Sequence, residues 1–139
     1  MGKIVYSIVV PAYNEEECLP LFFEKVIPIF EKLDEDFEII VVNDGSKDKT
    51  EEIIKNVCSK DKRVKGISFS RNFGQQAAFL AGLKEARGEA VIAMDADLQD
   101  PPEVALLMIE KWKEGYDVVH GRRKSRQKES IFKKLTARM

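Results

Sequence analysis

At 139 residues the chain has room for one domain with a real core and none for a second of ordinary size. Apolar residues make up 44% and charged residues 34%, which excludes a disordered chain, and no apolar run approaches the roughly 20 residues of a membrane span. The net charge of -1 hides a split: Arg122 to Arg138 holds eight Lys/Arg against Glu129 alone, a net +7, leaving 15 basic and 23 acidic residues, net -8, elsewhere.

The first strand-type run is Ser7-Ile8-Val9-Val10-Pro11-Ala12, left through Tyr13-Asn14-Glu15. Leu19, Phe22, Val26, Phe30 and Leu33 follow at helical spacing, and Pro28 is expected to kink or shorten that helix. Phe37 to Val42 reads as a second strand, ending in the turn Asn43-Asp44-Gly45-Ser46. Asp48 is placed to cap a helix carrying Ile53, Ile54 and Val57. A third strand runs from Val64 to Ser70, then Arg71-Asn72-Phe73-Gly74 and an alanine-rich helix from Gln75 to Ala86. The fourth strand, Val91-Ile92-Ala93, delivers Asp95 and Asp97 where it ends. Asp100 then reads as an N-cap with Pro101 at the first helical position, ahead of Val104, Leu107, Met108 and Trp112. Asp117 to His120 is a short fifth strand leading into Gly121-Arg122-Arg123. Ile131, Phe132, Leu135 and Met139 give the last segment an amphipathic, helix-like pattern. It stops at Arg138-Met139, as a piece of a longer protein would.

Strands alternating with helices define an α/β, doubly wound, mostly parallel sheet with helices on both faces. Such sheets bind ligands outside the carboxyl ends of their strands. Tyr13-Asn14-Glu15, Asp44-Gly45-Ser46, Ser70-Arg71-Asn72, Asp95-Ala96-Asp97 and Gly121-Arg122-Arg123 all fall at such ends, so one shared site is expected. Lys3 is followed only by a strand-length run broken by Pro11 and Asn14, so no signal peptide is expected. Cys18 and Cys58 are expected as buried thiols of a reducing compartment.

No glycine-rich phosphate loop is present, which argues against dinucleotide oxidoreductases and P-loop NTPases. His120 is the only histidine and has no cysteine close by in sequence, so a zinc site is not expected. What remains is a pair of carboxylates and several basic residues. Two carboxylates about 4 Å apart repel by about 4 kcal/mol at an effective dielectric near 20. Mg²⁺ or Mn²⁺ shared with a phosphate ligand would offset that, and a nucleotide diphosphate fits both halves. Plainer readings exist beside this one. Asp44-Gly45-Ser46 makes a good turn, Arg71 and Asn72 could satisfy loop carbonyls, and the basic tail could be a solvated face.

The motifs together resemble an inverting family 2 glycosyltransferase of the GT-A fold. Pro11-Ala12-Tyr13-Asn14-Glu15 is similar to its P-x-Y-N-E, Asn43-Asp44-Gly45-Ser46 to its D-D-G-S with asparagine first, and Asp95-Ala96-Asp97 to its D-x-D. Ser70-Arg71-Asn72-Phe73-Gly74, Asp97-Leu98-Gln99-Asp100-Pro101-Pro102-Glu103 and Val119-His120-Gly121-Arg122-Arg123 resemble the polyprenyl-phosphate branch. The resemblance implies one glycosyltransferase domain over 1–139. It also implies transfer of a hexose from UDP- or GDP-sugar to a polyprenyl phosphate, undecaprenyl or dolichyl, with inversion. By position it assigns Pro11, Tyr13, Glu15, Asp44, Ser46 and Arg71 to the nucleotide, and Asp95 and Asp97 to catalysis. Asp97 and Gln99 would hold Mg²⁺ or Mn²⁺, and Arg123 and Arg138 would meet the acceptor phosphate.

An acceptor phosphate is already ionised at neutral pH, its second pKa being about 6, so no general base is needed. The tail fits an anionic membrane surface, at about 1 kcal/mol for each Lys or Arg. Expected partners are therefore the sugar nucleotide, the lipid phosphate and the cytoplasmic face of a membrane, with no nucleic acid. A piece ending at Met139 would be soluble, and would bind nucleotide-sugar while turning over poorly or not at all. Two other readings stay open. One is a family 2 enzyme acting on a saccharide hydroxyl, and the other is a non-catalytic nucleotide-binding or membrane-docking module.

Overall fold

A computed structural model of the chain describes residues 3–99, 101–123 and 132–137. The elements run β1 (Tyr6–Ala12), α1 (Leu19–Glu31), β2 (Phe37–Asn43), α2 (Thr50–Lys60), β3 (Val64–Ser68), α3 (Gln75–Glu85), β4 (Ala90–Ala93), α4 (Val104–Lys113), β5 (Val118–Arg123) and β6 (Phe132–Ala137). They form two compact units, one through Leu98 and one from Gln99 onward.

In the first unit a parallel sheet has the order β3-β2-β1-β4. The inner strands lack polar alternation because both of their faces are covered. Every residue of β2 is buried, as is all of β1 except Pro11. The register Val9↔Ile40 puts those two side chains on one face, with Ile8, Ile39, Tyr6 and Phe37 on the other. Phe30 of α1 meets Tyr6 and Phe37 at ring-centroid distances of 6.1 and 5.6 Å. A Cβ on Gly66 of β3, opposite Val41, would sit 2.8 Å from Ile54 of α2, so α1 and α2 share that face. On the opposite face Ala78 of α3 packs with Ile40 and Val42. Gly82 lies so close to β1 that a Cβ would come within 2.4 Å of Val9. Small residues let α3 approach closely. The doubly wound arrangement expected from the sequence is present in these four strands, but β5, read as a fifth strand ending before Gly121-Arg122-Arg123, includes those residues and pairs with β6 in a separate antiparallel sheet.

Pro28 does not end α1, which continues to Glu31. Pro28 and Glu24 both lie on the exposed side, where water can take up the carbonyl that the proline leaves unpaired. At the amino end of the sheet Glu38 is 1% exposed. It accepts hydrogen bonds from Ser7 Oγ (2.6 Å), Lys65 Nζ (2.7 Å) and the Arg87 amide (2.8 Å). Ser7 Oγ in turn accepts from the Gly88 amide at 2.7 Å. Burial works to raise the Glu38 carboxyl, but these bonds prevail and hold it below its ordinary value.

In the second unit α4 contacts both strands of an antiparallel β5–β6 pair. Regular helix starts at Val104 rather than Pro101, after a tighter lead-in of bonds from Val104, Ala105 and Leu106 to the carbonyls of Pro101, Pro102 and Glu103. Asp100, expected as the cap, lies outside the described residues. The final segment is a correction. Residues 132–137 form β6, registered His120↔Leu135 and Arg122↔Lys133, instead of an amphipathic helix. A helix that short is marginal in water, while the open edge of β5 offers backbone partners at once.

Candidate active site

Strand order reverses between β1 and β4, because β1, β2 and β3 proceed one way and β4 joins on the other side of β1. That is where an open α/β sheet leaves a crevice. Pro11 marks the same place. Val5 and Val9 accept bonds from Ala90 (2.9 Å) and Met94 (3.1 Å) on the β4 side, whereas Ala12 accepts from Asp44 (2.8 Å) on the β2 side. Pro11 shares the parity of Val9, so its missing N–H faces a side where pairing has already ended at Val9↔Ala93. The two strands part there, with Tyr13 and Glu15 leaving one and Asp95 and Asp97 leaving the other.

The loop after β1 is stitched to the loop after β2. The Asn14 amide donates to Ser46 Oγ (2.9 Å), the Glu15 amide to Thr50 Oγ1 (2.8 Å) and the Glu16 amide to Asp48 Oδ2 (3.2 Å). In return Asn14 Oδ1 accepts from the Lys47 amide at 2.8 Å, which suits an asparagine at φ 53°. Asp48, expected as the cap of α2, stands one residue before it: Lys49 holds the N-cap position, while Asp48 accepts from the Thr50 amide (2.9 Å) and ties down the neighbouring loop as well.

Glu15 is half-buried, and its carboxyl is pushed above the ordinary range by burial and then by the charge of Asp97. Asp95 and Asp48 push the same way, and a hydrogen bond with Cys18 opposes them. Cys18, expected as a buried thiol, is half-buried, and burial and Glu15 raise it. The negative field expected from Asp95 and Asp97 therefore registers on a third carboxylate.

Leu98, directly after Asp97, sits at φ 55°. For a side chain that is neither glycine nor asparagine this costs on the order of 1 kcal/mol. Among the described residues no group of three or more His, Cys, Asp or Glu stands together as a ready metal cage. Hard carboxylate oxygens, few in number and in a negative field, suit a Mg²⁺ or Mn²⁺ ion completed by ligand phosphates.

The nucleotide candidates divide by exposure. Tyr13 is 43% exposed, and Pro11, Glu15 and Ser46 are half-buried. Arg71 is exposed, with its guanidinium 4.3 Å from the centre of the Phe73 ring. Asp44 is different. At 3% exposure its Oδ1 accepts from the Phe73 amide (2.7 Å), and its Oδ2 accepts from the Gly74 amide and Asn72 Nδ2 (both 3.1 Å). Asn72 also reaches the Asp44 carbonyl at 3.2 Å, the plainer role considered for it. Gln75, which carries no sequence signal of its own, donates from Nε2 to Asp95 Oδ1 at 3.3 Å. Gln99 and Arg123 belong to the second unit, and Arg138 lies outside the described residues.

The chain matches the Glycosyl transferase family 2 profile over residues 7–139 and belongs to that family. It is 52% identical over 136 residues to an uncharacterized glycosyltransferase, YkcC, of Bacillus subtilis, covering 98% of this chain and 42% of the relative. It is 47% identical over 131 residues to the bactoprenol glucosyl transferase of Shigella phage SfV, covering 94% and 43% of the two. With the undecaprenyl-phosphate 4-deoxy-4-formamido-L-arabinose transferase of Proteus mirabilis it shares 42% over 134 residues, covering 96% and 41%. The chain thus spans about two fifths of the length of these relatives.

Among solved structures it resembles S. aureus TarS 1-349 in complex with UDP-GlcNAc, with TM-score 0.62 and 27% identity over 81% of this chain and 32% of that one. The Pyrobaculum calidifontis mannosyltransferase PcManGT, in complex with GDP-Man and Mn²⁺, gives TM-score 0.61 and 25% identity over 78% and 32%. The fold is that of the GT-A glycosyltransferases.

Proposed function

We propose that the whole protein transfers a hexose from UDP- or GDP-sugar to a polyprenyl phosphate with inversion, and that this chain is its donor-binding part. The observation that carries the reading is the switch point between β1 and β4, where Asp95 and Asp97 follow the end of one strand and Glu15 follows the end of the other. The acceptor class rests on the similarity to relatives named for bactoprenol and undecaprenyl-phosphate.

In this reading Pro11, Tyr13, Glu15, Asp44, Ser46 and Arg71 bind the nucleotide, and Asp95 faces the donor sugar. Asp97, with Gln99, would hold Mg²⁺ or Mn²⁺, which supplies charge stabilisation of the departing nucleotide diphosphate when bound. Arg123 and Arg138 hold the acceptor phosphate, whose ionised oxygen attacks the anomeric carbon without a general base. None of the described helices is long and apolar enough to cross a membrane. The basic stretch from Arg122 to Arg138 supports attraction to an anionic leaflet on the cytoplasmic face.

The test is an assay of the whole protein with labelled UDP-glucose or GDP-mannose, Mn²⁺, and either undecaprenyl phosphate or a saccharide acceptor. Label entering the lipid fraction supports the reading. Label entering only the saccharide would replace it with hydroxyl transfer.

A further inference from the structure

Asp44 spends its carboxylate within the protein. Its partners, the Asn72 side chain and the amides of Phe73 and Gly74, all lie on the loop that leads into α3. The turn beside it is fixed on the same loop. Gly45 has φ 71°, and a Cβ there would lie 2.2 Å from the Arg71 carbonyl carbon and 2.4 Å from the Asn72 nitrogen. The β2 turn and the 71–74 loop are therefore in direct backbone contact. Gly74, at φ 108°, turns the chain into α3, and its carbonyl accepts the Ala78 amide at 3.1 Å. Farther along, Gly82 seats the same helix against Val9 of β1. The first residue of α3 is held from both directions.

That residue is Gln75. Its side chain is exposed, so it is not held there by packing, and its amide reaches Asp95 Oδ1 at 3.3 Å. We propose that Gln75 is a positioning residue for Asp95, and that Asp44 acts through the 72–74 loop as its anchor. This rests on the reading of Asp95 as the donor-facing carboxylate. An aspartate's terminal torsion is broad, so one fixed donor narrows it substantially. A neutral amide does so while leaving the carboxylate's charge in place, which a cation at the same position would partly cancel.

The test uses the whole protein with labelled UDP-glucose, undecaprenyl phosphate and Mn²⁺, and compares Gln75→Ala, Gln75→Glu and Gln75→Lys. Alanine removes the donor, glutamate keeps the shape but brings a like charge, and lysine restores a donor with added charge. Misplacement of a site group is worth about tenfold to a hundredfold in rate. The expected order of kcat is wild type, then lysine within about threefold, alanine down about tenfold, and glutamate lowest at about thirtyfold. The acceptor KM should stay within about twofold and Tm within about 2 °C, because the side chain is exposed.

A purely spatial role predicts the opposite ranking, with the isosteric glutamate nearest to wild type. That ranking would overturn the proposal, as would losses that simply track Tm. Wild-type protein that transfers no hexose to the lipid would overturn the functional reading beneath it. Wild-type transfer with a flat variant series would overturn the Gln75 assignment alone.

Discussion

The two ends of the first sheet treat their carboxylates in opposite ways. At the amino end Glu38 is 1% exposed and surrounded by donors, and those bonds lower its pKa against the pull of burial. At the carboxyl end the Glu15 carboxyl is raised by burial and then by the charges of Asp97, Asp95 and Asp48, against a hydrogen bond with Cys18. The first arrangement is complete within the protein and is what stability alone would select. The second leaves a negative field that an additional cation would relieve, as expected of a site waiting for a metal-bound ligand. Chain folding thus accounts for one end, and the proposed metal-bound ligand would account for the other.

The comparison can be broken at either end. The largest effect should come from Asp97→Ala, expected to lower transfer by the whole protein at least about a hundredfold while leaving its melting temperature nearly unchanged. Next comes Glu38→Ala, which removes the acceptor of the buried Ser7 hydroxyl and of the Arg87 amide and releases the half-exposed Lys65 to water. It should destabilise by about 3 kcal/mol, or roughly 10 °C in Tm by calorimetry, with donor binding retained below the melt.

The pH dependence sharpens the contrast. Because folding lowers the Glu38 pKa, its stabilisation is complete above the ordinary value of 4.5 and is lost as pH falls through the lowered one. Glu38→Gln should therefore flatten the acid limb of a stability–pH profile. Gly45→Ala comes next, at about 2 kcal/mol, because its φ of 71° and the Arg71 backbone leave no place for a methyl group.

The smallest effect has the opposite sign. Folding raises the Glu15 pKa, so the folded chain loses stability as pH climbs from 4.5 through the raised value. Glu15→Gln should raise the neutral-pH Tm of the ligand-free protein by about 1–2 °C while weakening nucleotide binding.

Much of this was legible in the sequence because the relevant signals are local. Uninterrupted runs such as Ile39-Ile40-Val41-Val42 identify strands covered on both faces, and Asp95 and Asp97 stand out at the end of one. Asn43-Asp44-Gly45-Ser46 was readable as a turn, but not the destination of its carboxylate, because the Asn72, Phe73 and Gly74 donors lie 28 to 30 residues away. Gln75 was invisible for the same reason. Nothing local distinguishes a glutamine that begins a helix from one that also holds an aspartate 20 residues on. Glu38 broke the apolar pattern of its strand without revealing Ser7 and Lys65 as partners. The last segment was misread because Phe132 and Leu135 fit a helical stripe, and only the edge of β5 decides in favour of a strand.

The most direct measurement is titration calorimetry of UDP and GDP into the protein, with and without Mn²⁺, for wild type and Asp97→Ala. If the crowded carboxylates exist to hold a metal-bound diphosphate, one nucleotide binds wild type only when Mn²⁺ is present, and Asp97→Ala abolishes that binding. Equal binding without the metal, or unchanged binding by Asp97→Ala, would contradict the account.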